Sequence, residues 1–205
     1  MKNNIEAESL FEEFCSAKKL KFLKIEEGSD PTPDYQIILN DTIIYIEVKQ
    51  IDKDKDFEII NENDISSGKM TVGEHIRKKI DQVRKKKQVK TVAEQGAPVI
   101  LLIYNNLDKY QMFGTEPHDF ISAMYGERTL LFDKNKNEII DYFYGKNKSF
   151  EEKKNTSLSA VGLLSKEGNN ISVRIYENAF AKNKLDYSKI PECISVTRAE
   201  IERVE

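Results

Sequence analysis

Long apolar runs, cysteines and histidines are all scarce in this chain of 205 residues, and each scarcity excludes something. A membrane-spanning helix needs about 18 or more consecutive apolar residues. The longest uninterrupted run here, Val99 to Tyr104, has the length of a strand. Met1-Lys2-Asn3-Asn4 leads directly into a charged helical pattern, so no signal peptide is expected. Cys15 and Cys193 show no CxxC spacing, and with only His75 and His118 beside them a four-ligand zinc site would need all four residues to converge. Both thiols are therefore expected to act as small apolar residues, and the chain is expected in the cytoplasm. Charge of one sign is missing too: 32 Lys+Arg stand against 35 Asp+Glu, for a net −3. That balance excludes a protein that simply coats nucleic acid, but it leaves room for a local basic face.

What is present reads as a single α/β domain with an elaborated edge. Ala7, Leu10, Phe11, Phe14 and Cys15 recur at helical spacing over residues 5–19. Phe22 to Ile25 reads as a strand, closed by the turn cluster Gly28-Ser29-Asp30-Pro31-Thr32-Pro33. Two β-rich runs, Asp34 to Leu39 and Thr42 to Gln50, flank Asn40-Asp41, which suits a two-residue hairpin turn. Polar residues 51–70 read as a loop or flap. The span from Val72 to about Glu94 reads as one helix with Ile76, Ile80 and Val83 on its apolar stripe, ended by Gly96-Ala97-Pro98. Val99 to Tyr104 follows as a strand buried on both faces. In the second half a short helix starts at Pro117, strands are expected at Thr129–Phe132 and Glu138–Tyr144, and a hairpin turns at Glu167-Gly168-Asn169-Asn170. A final helix capped by Thr197 is expected over 197–204. No linker interrupts this half, so it is expected to extend one sheet.

The first hairpin carries the chemistry. With Asn40 and Asp41 as loop residues, Leu39 pairs with Thr42, and the same register sets Asp34 opposite Glu47. Opposed residues share a face with Cβ atoms about 5 Å apart, and the period of two brings Lys49 to that face. Tyr35, Ile37, Leu39, Ile44, Ile46 and Val48 line the other face as core. Two carboxylates so close repel unless a cation lies between them. Hard oxygen ligands at this spacing suit Mg²⁺, with Mn²⁺ as a substitute, and the Val48 carbonyl could add a third oxygen. Lys49 would stand beside the attacking water, to orient or deprotonate it, or would neutralise charge at a phosphate.

Pro33-Asp34, twelve residues, then Glu47-Val48-Lys49 resembles the motif of the PD-(D/E)xK nuclease superfamily. The setting is similar as well: a helix before it, the motif on a hairpin, then a helix and a buried strand. The resemblance covers about half the chain and implies a restriction-endonuclease-like mixed sheet flanked by helices, with a nuclease core in 1–105. Residues 106–205 would be a β-rich extension of the same domain, carrying substrate or partner elements. It further implies Mg²⁺-dependent phosphodiester hydrolysis, most readily of DNA by an endonuclease, with Asp34 and Glu47 as metal ligands and Lys49 as the catalytic lysine. A catalytically silent module that binds nucleic acid or protein is the alternative.

Supporting residues follow from that expectation. Members of the superfamily often place an acidic residue on the first helix, and the helical angle selects Glu8, with Glu12 in reserve. The helix from Val72 carries Arg77, Lys78, Lys79, Arg84, Lys85, Lys86, Lys87 and Lys90, a basic surface of the kind a phosphate backbone needs, and the resemblance implies that this helix could add Lys79 or Gln82 to the site. His75 and His118 are read as polar surface residues. Ser67-Gly68-Lys69 and Gly145-Lys146 do not complete a phosphate loop. Tyr142, Phe143, Tyr144 and Phe150 could stack bases, although a strand core accounts for three of them. The C-terminal half is the expected docking region for a second copy of the chain or a partner protein.

Overall fold

The computed structural model describes residues 6–26, 32–52, 71–85, 87–107 and 113–198. A seven-stranded mixed sheet runs through it, flanked by helices on both faces, with a separate two-stranded sheet beside it. The helix α1 (Glu6–Ala17) buries Ala7, Leu10, Phe11, Phe14 and Cys15, the stripe its spacing predicts. Next come β1 (Lys21–Lys24), β2 (Tyr35–Leu39) and β3 (Thr42–Ile51), each antiparallel to the one before. Asn40 and Asp41 adopt φ of 45° and 64°, as a type I′ turn requires, and the β2–β3 register runs from Leu39↔Thr42 to Tyr35↔Ile46 as expected. Asp34 immediately precedes β2, so the same register carries it opposite Glu47.

Helices α2 (Glu74–Lys85) and α3 (Gln88–Glu94) return the chain to β4 (Val99–Asn105), which pairs parallel to β3 and is buried along its whole length. α4 (Pro117–Tyr125), β5 (Arg128–Asp133) and β6 (Glu138–Tyr144) follow. The chain then re-enters the main sheet through β7 (Ala160–Glu167), parallel to β4, and continues with β8 (Asn170–Glu177) and β9 (Ile194–Thr197). The sheet order is β1-β2-β3-β4-β7-β8-β9. α1 packs with Ile37, Ile46, Val48, Leu102 and Val173 on one face. On the other face α2, α3 and α4 cover Val99, Leu101, Ile103 and Val161. Gly73 fixes α2 against α4: its φ is 71°, and a Cβ there would come within 2.5 Å of the Asp119 carbonyl oxygen.

Four expectations are corrected. The helix from Val72 is two helices, because Lys87 takes a left-handed φ of 60° and breaks the ladder between them. β5 and β6 pair only with each other instead of extending the main sheet. This hairpin leaves Leu130, Phe132, Ile139, Ile140 and Phe143 exposed, so no strand core absorbs Phe143, while Tyr144 packs against the core and Phe150 is fully buried. Thr197 ends β9 and caps no helix; the rest of that expected helix lies outside the described residues, apart from Arg198, which is not helical. His75 is buried with the apolar face of α2, whereas His118 is exposed as expected. The flap expected over 51–70 lies outside the described residues from 53 onward, as does Ser67-Gly68-Lys69. No described helix is long and apolar enough to cross a membrane.

Candidate metal centre

Strand β3 runs parallel to β4 and β7, and the charged residues of the hairpin lie toward its C-terminal end. Ligands of open α/β sheets commonly bind outside the carboxyl ends of such strands. Glu47 pairs in register with Leu101 and Lys49 with Ile103, so both side chains leave the sheet on the face covered by α2 and α4. Glu47 has no exposed surface. The Lys49 ammonium lies against Glu47 Oε1, 3.8 Å from Asp34 Oδ2 and 3.1 Å from the Val48 carbonyl oxygen to which it donates. Asp34 Oδ2 also accepts the Val48 N–H at 2.7 Å, which ties the start of β2 to the motif on β3. Asp34, Glu47, Lys49 and Val48 are thus brought together as the register predicts, and the ammonium satisfies the need for a cation between the carboxylates.

Two carboxylates and one ammonium leave this cluster one negative charge, and its oxygen donors are hard. That donor set fits a divalent ion such as Mg²⁺ or Mn²⁺, with Asp34, Glu47 and the Val48 carbonyl as the residues that would hold it.

Glu8 and Glu12 are held by a neighbouring network. Lys24 at the end of β1 bridges them, with Nζ 3.0 Å from Glu8 Oε2 and 3.0 Å from Glu12 Oε1. Tyr35 donates its hydroxyl to the same Glu12 oxygen at 2.7 Å. Burial pushes the Glu12 carboxyl upward, but the Tyr35 hydroxyl and the Lys24 ammonium outweigh it and hold the group below the usual range. The Tyr35 phenol is pushed well above its ordinary range by burial first, then by the bond to Glu12 and by the charges of Glu12, Glu8 and Asp34. This network belongs to the α1 face of the sheet, whereas Glu47 and Lys49 leave it on the other face; Asp34 is the cluster member whose charge reaches the Tyr35 phenol. Glu12, expected to turn toward solvent, is the more strongly held of the two glutamates.

Gln50 is a residue that sequence reasoning missed. Its Oε1 accepts the Ala7 N–H at 3.0 Å, and its Nε2 donates to Asp52 Oδ1 at 2.6 Å. It thereby satisfies a backbone donor in the first turn of α1 and fixes that turn to the end of β3. The available signal was a polar side chain on the strand face that otherwise reads as core.

The basic residues of α2 are more divided than their sequence suggests. Arg77 turns inward, donating to the carbonyl oxygens of Val72 at 2.6 Å and Ser122 at 3.5 Å. Lys78 pairs with Glu74 and Arg84 with Asp81 along the helix surface. Lys79 is half-buried and Gln82 exposed, while Lys86 lies outside the described residues. Arg84 occupies the last turn, at the end of α2 that leads back to the start of β4.

One acidic group elsewhere has metal-compatible spacing: Glu116, His118 and Asp119 bring one ligand atom each within 4.8 Å of the others. Its geometry is that of a helix cap. Asp119 accepts the N–H groups of Gly73 at 2.8 Å and Glu116 at 3.1 Å, as the capping box of α4. Comparison with known proteins adds no relative: no family model matches the chain, and neither a curated protein nor a solved structure matches it significantly.

Proposed function

We propose that this chain is a Mg²⁺-dependent nuclease of restriction-endonuclease-like fold that hydrolyses phosphodiester bonds, with DNA as its substrate. The observation that carries this reading is the meeting of Asp34, Glu47 and Lys49 through the hairpin register, with Glu47 fully buried and Lys49 in contact with it. A surface charge pair on an amphipathic strand would leave the glutamate in water, since burying a carboxylate is costly. The order helix, strand, hairpin, helices, parallel strand supports the reading at the level of the fold.

Asp34, Glu47 and the Val48 carbonyl would hold the ion. When bound, it supplies Lewis acidity at the scissile phosphate. Lys49 would neutralise charge building on the phosphate oxygens as water attacks phosphorus and gives its proton to solvent, while the P–O bond to the leaving group breaks and the departing oxygen takes a proton from solvent. Asp34 fixes the backbone of the motif through Val48 N–H, while Gln50 and Lys24 anchor α1 on the opposite face of the sheet. Lys78, which would exchange its Glu74 partner for phosphate, and Lys79 are the α2 residues proposed to meet the substrate backbone.

The test is cleavage of DNA by the native protein and by Asp34→Ala in Mg²⁺, Mn²⁺ or EDTA. Cutting that requires the metal and falls at least a hundredfold in the variant is expected. Full metal-dependent cutting by Asp34→Ala rejects the assignment. A second reading, a silent nuclease fold serving as a binding module, draws support from the apolar side chains that β5 and β6 leave exposed. Such a module has no need of Mg²⁺, so a metal titration separates the two.

A further inference from the structure

At the other end of the parallel strands, a cavity of about 310 Å³ opens between the last turn of α2, α3 and residues 153–158. Leu158 lies just before β7, and Ser159 binds both backbone groups of Val99 at the start of β4. From Val99 to Ile103, the partner of Lys49, is about 13 Å of strand, so this cavity is separate from the metal centre. Its floor is apolar: Val83, Val89 and Leu158 are all buried. Its rim is cationic, made by Arg84, Lys90, Lys153 and Lys154, and no acidic side chain is among the lining residues. Thr156 and Ser157 add hydroxyls.

We infer that this cavity binds a nucleotide unit, with the phosphate on the cationic rim and the base or sugar on the apolar floor. Four positive side chains border one concavity in a chain of net charge −3, and Lys154, which donates to the Lys148 carbonyl oxygen at 2.9 Å, keeps its charge unneutralised by that bond, a setting that favours an anion. The carboxylates that engage the rim are surface partners: Asp81 holds Arg84 at 3.3 Å and Glu94 holds Lys90 at 3.7 Å, all about half exposed or more. Exposed pairs of this kind exchange partners at little cost, and a phosphate with several oxygens can engage two or three of these cations at once. Inorganic phosphate alone would leave the floor unused. The volume lies near the lower end of the roughly 300–1,000 Å³ usual for small-molecule sites, a size that suits one nucleotide.

The nucleotide can be free or part of a strand, and the experiment distinguishes these sources. Titration calorimetry is run in EDTA, so that binding does not depend on a metal held by Asp34 and Glu47. The probes are inorganic phosphate, adenosine 5′-monophosphate and a single-stranded DNA 12-mer. The protein is tested as the native chain, as Lys153→Glu/Lys154→Glu, and as Lys136→Glu/Lys146→Glu, a control with the same charge change outside the lining. The mononucleotide should bind more tightly than phosphate, and at least tenfold more weakly to the first variant while the control stays within twofold of native. Mononucleotide that displaces the 12-mer identifies a strand unit, and mononucleotide that binds without displacing it identifies a free nucleotide; either supports the site. Absence of mononucleotide binding, equal affinity for phosphate and mononucleotide, or equal losses in both variants overturns it.

Discussion

Glu47 is fully buried, and its Lys49 contact is five-sixths buried, so the pair is costly to break from one side. Removing one member of a buried ion pair costs about 3–5 kcal/mol. Lys49→Met should therefore lower the urea midpoint substantially, and Glu47→Gln/Lys49→Met should recover much of the loss; additive losses would show that the two residues do not interact. Glu12 gives a pH signature. Its folded carboxyl lies below the usual range, so the folded state binds fewer protons than the unfolded chain near the ordinary glutamate value of 4.5. Its contribution is present above that value and is lost as pH falls through the folded pKa. The stability gap between native protein and Glu12→Gln should thus be open at pH 7 and close toward pH 3, and a gap independent of pH would contradict the Tyr35–Glu12–Lys24 network. Cys15 tests the packing of α1. Burial, helped by Cys193 and Glu12, pushes its thiol up to about 12, so iodoacetamide should modify Cys193 well before Cys15 in the folded protein.

At the scale of elements, the β2–β3 hairpin was legible because its information is local. Two residues tolerant of positive φ fix the loop, the loop fixes the register, and the register sets Asp34 against Glu47. α1 was legible for the same reason, since one stripe of Ala7, Leu10, Phe11, Phe14 and Cys15 can face only one way. The break at Lys87 was not, because nothing in a lysine signals a left-handed backbone. The separation of β5 and β6 from the main sheet was hidden as well: both strands are rich in β-formers, and which sheet they join is decided by distant packing. The position of Glu12 depended on Lys24 and Tyr35 arriving from two strands, which helical angle alone does not reveal. Asp41→Gly should raise stability by about 0.5–1 kcal/mol by relieving the left-handed strain of the turn without altering register. A loss of stability on thermal denaturation would mean that the Asp41 side chain contributes more than its backbone costs.

For the whole molecule, the proposed metal centre ties Asp34, ahead of β2, to the motif on β3, while on the opposite face Gln50 fastens α1 to the end of the same strand. An ion held by Asp34 and Glu47 in the folded state alone should stabilise the entire domain. At a concentration 100 times its Kd, Mg²⁺ would add about 2.7 kcal/mol, or about 5–10 °C in Tm for a chain of this size. Asp34→Asn should abolish that gain, and an equal gain in the variant would place the ion elsewhere, with Glu116, His118 and Asp119 the first group to examine.

Asp34, Glu47 and Lys49 are proposed here as a metal-dependent nuclease centre. Its most direct test is cleavage of linear, supercoiled and single-stranded DNA and of RNA in Mg²⁺, Mn²⁺ or EDTA, comparing the native protein with Lys49→Ala after circular dichroism has shown that the variant is folded. The expected result is cutting by the native protein that EDTA abolishes and that falls at least a hundredfold in Lys49→Ala. Metal-dependent cutting that survives unchanged in Lys49→Ala, or no cutting of any substrate by a native protein that also fails to bind Mg²⁺, would contradict it.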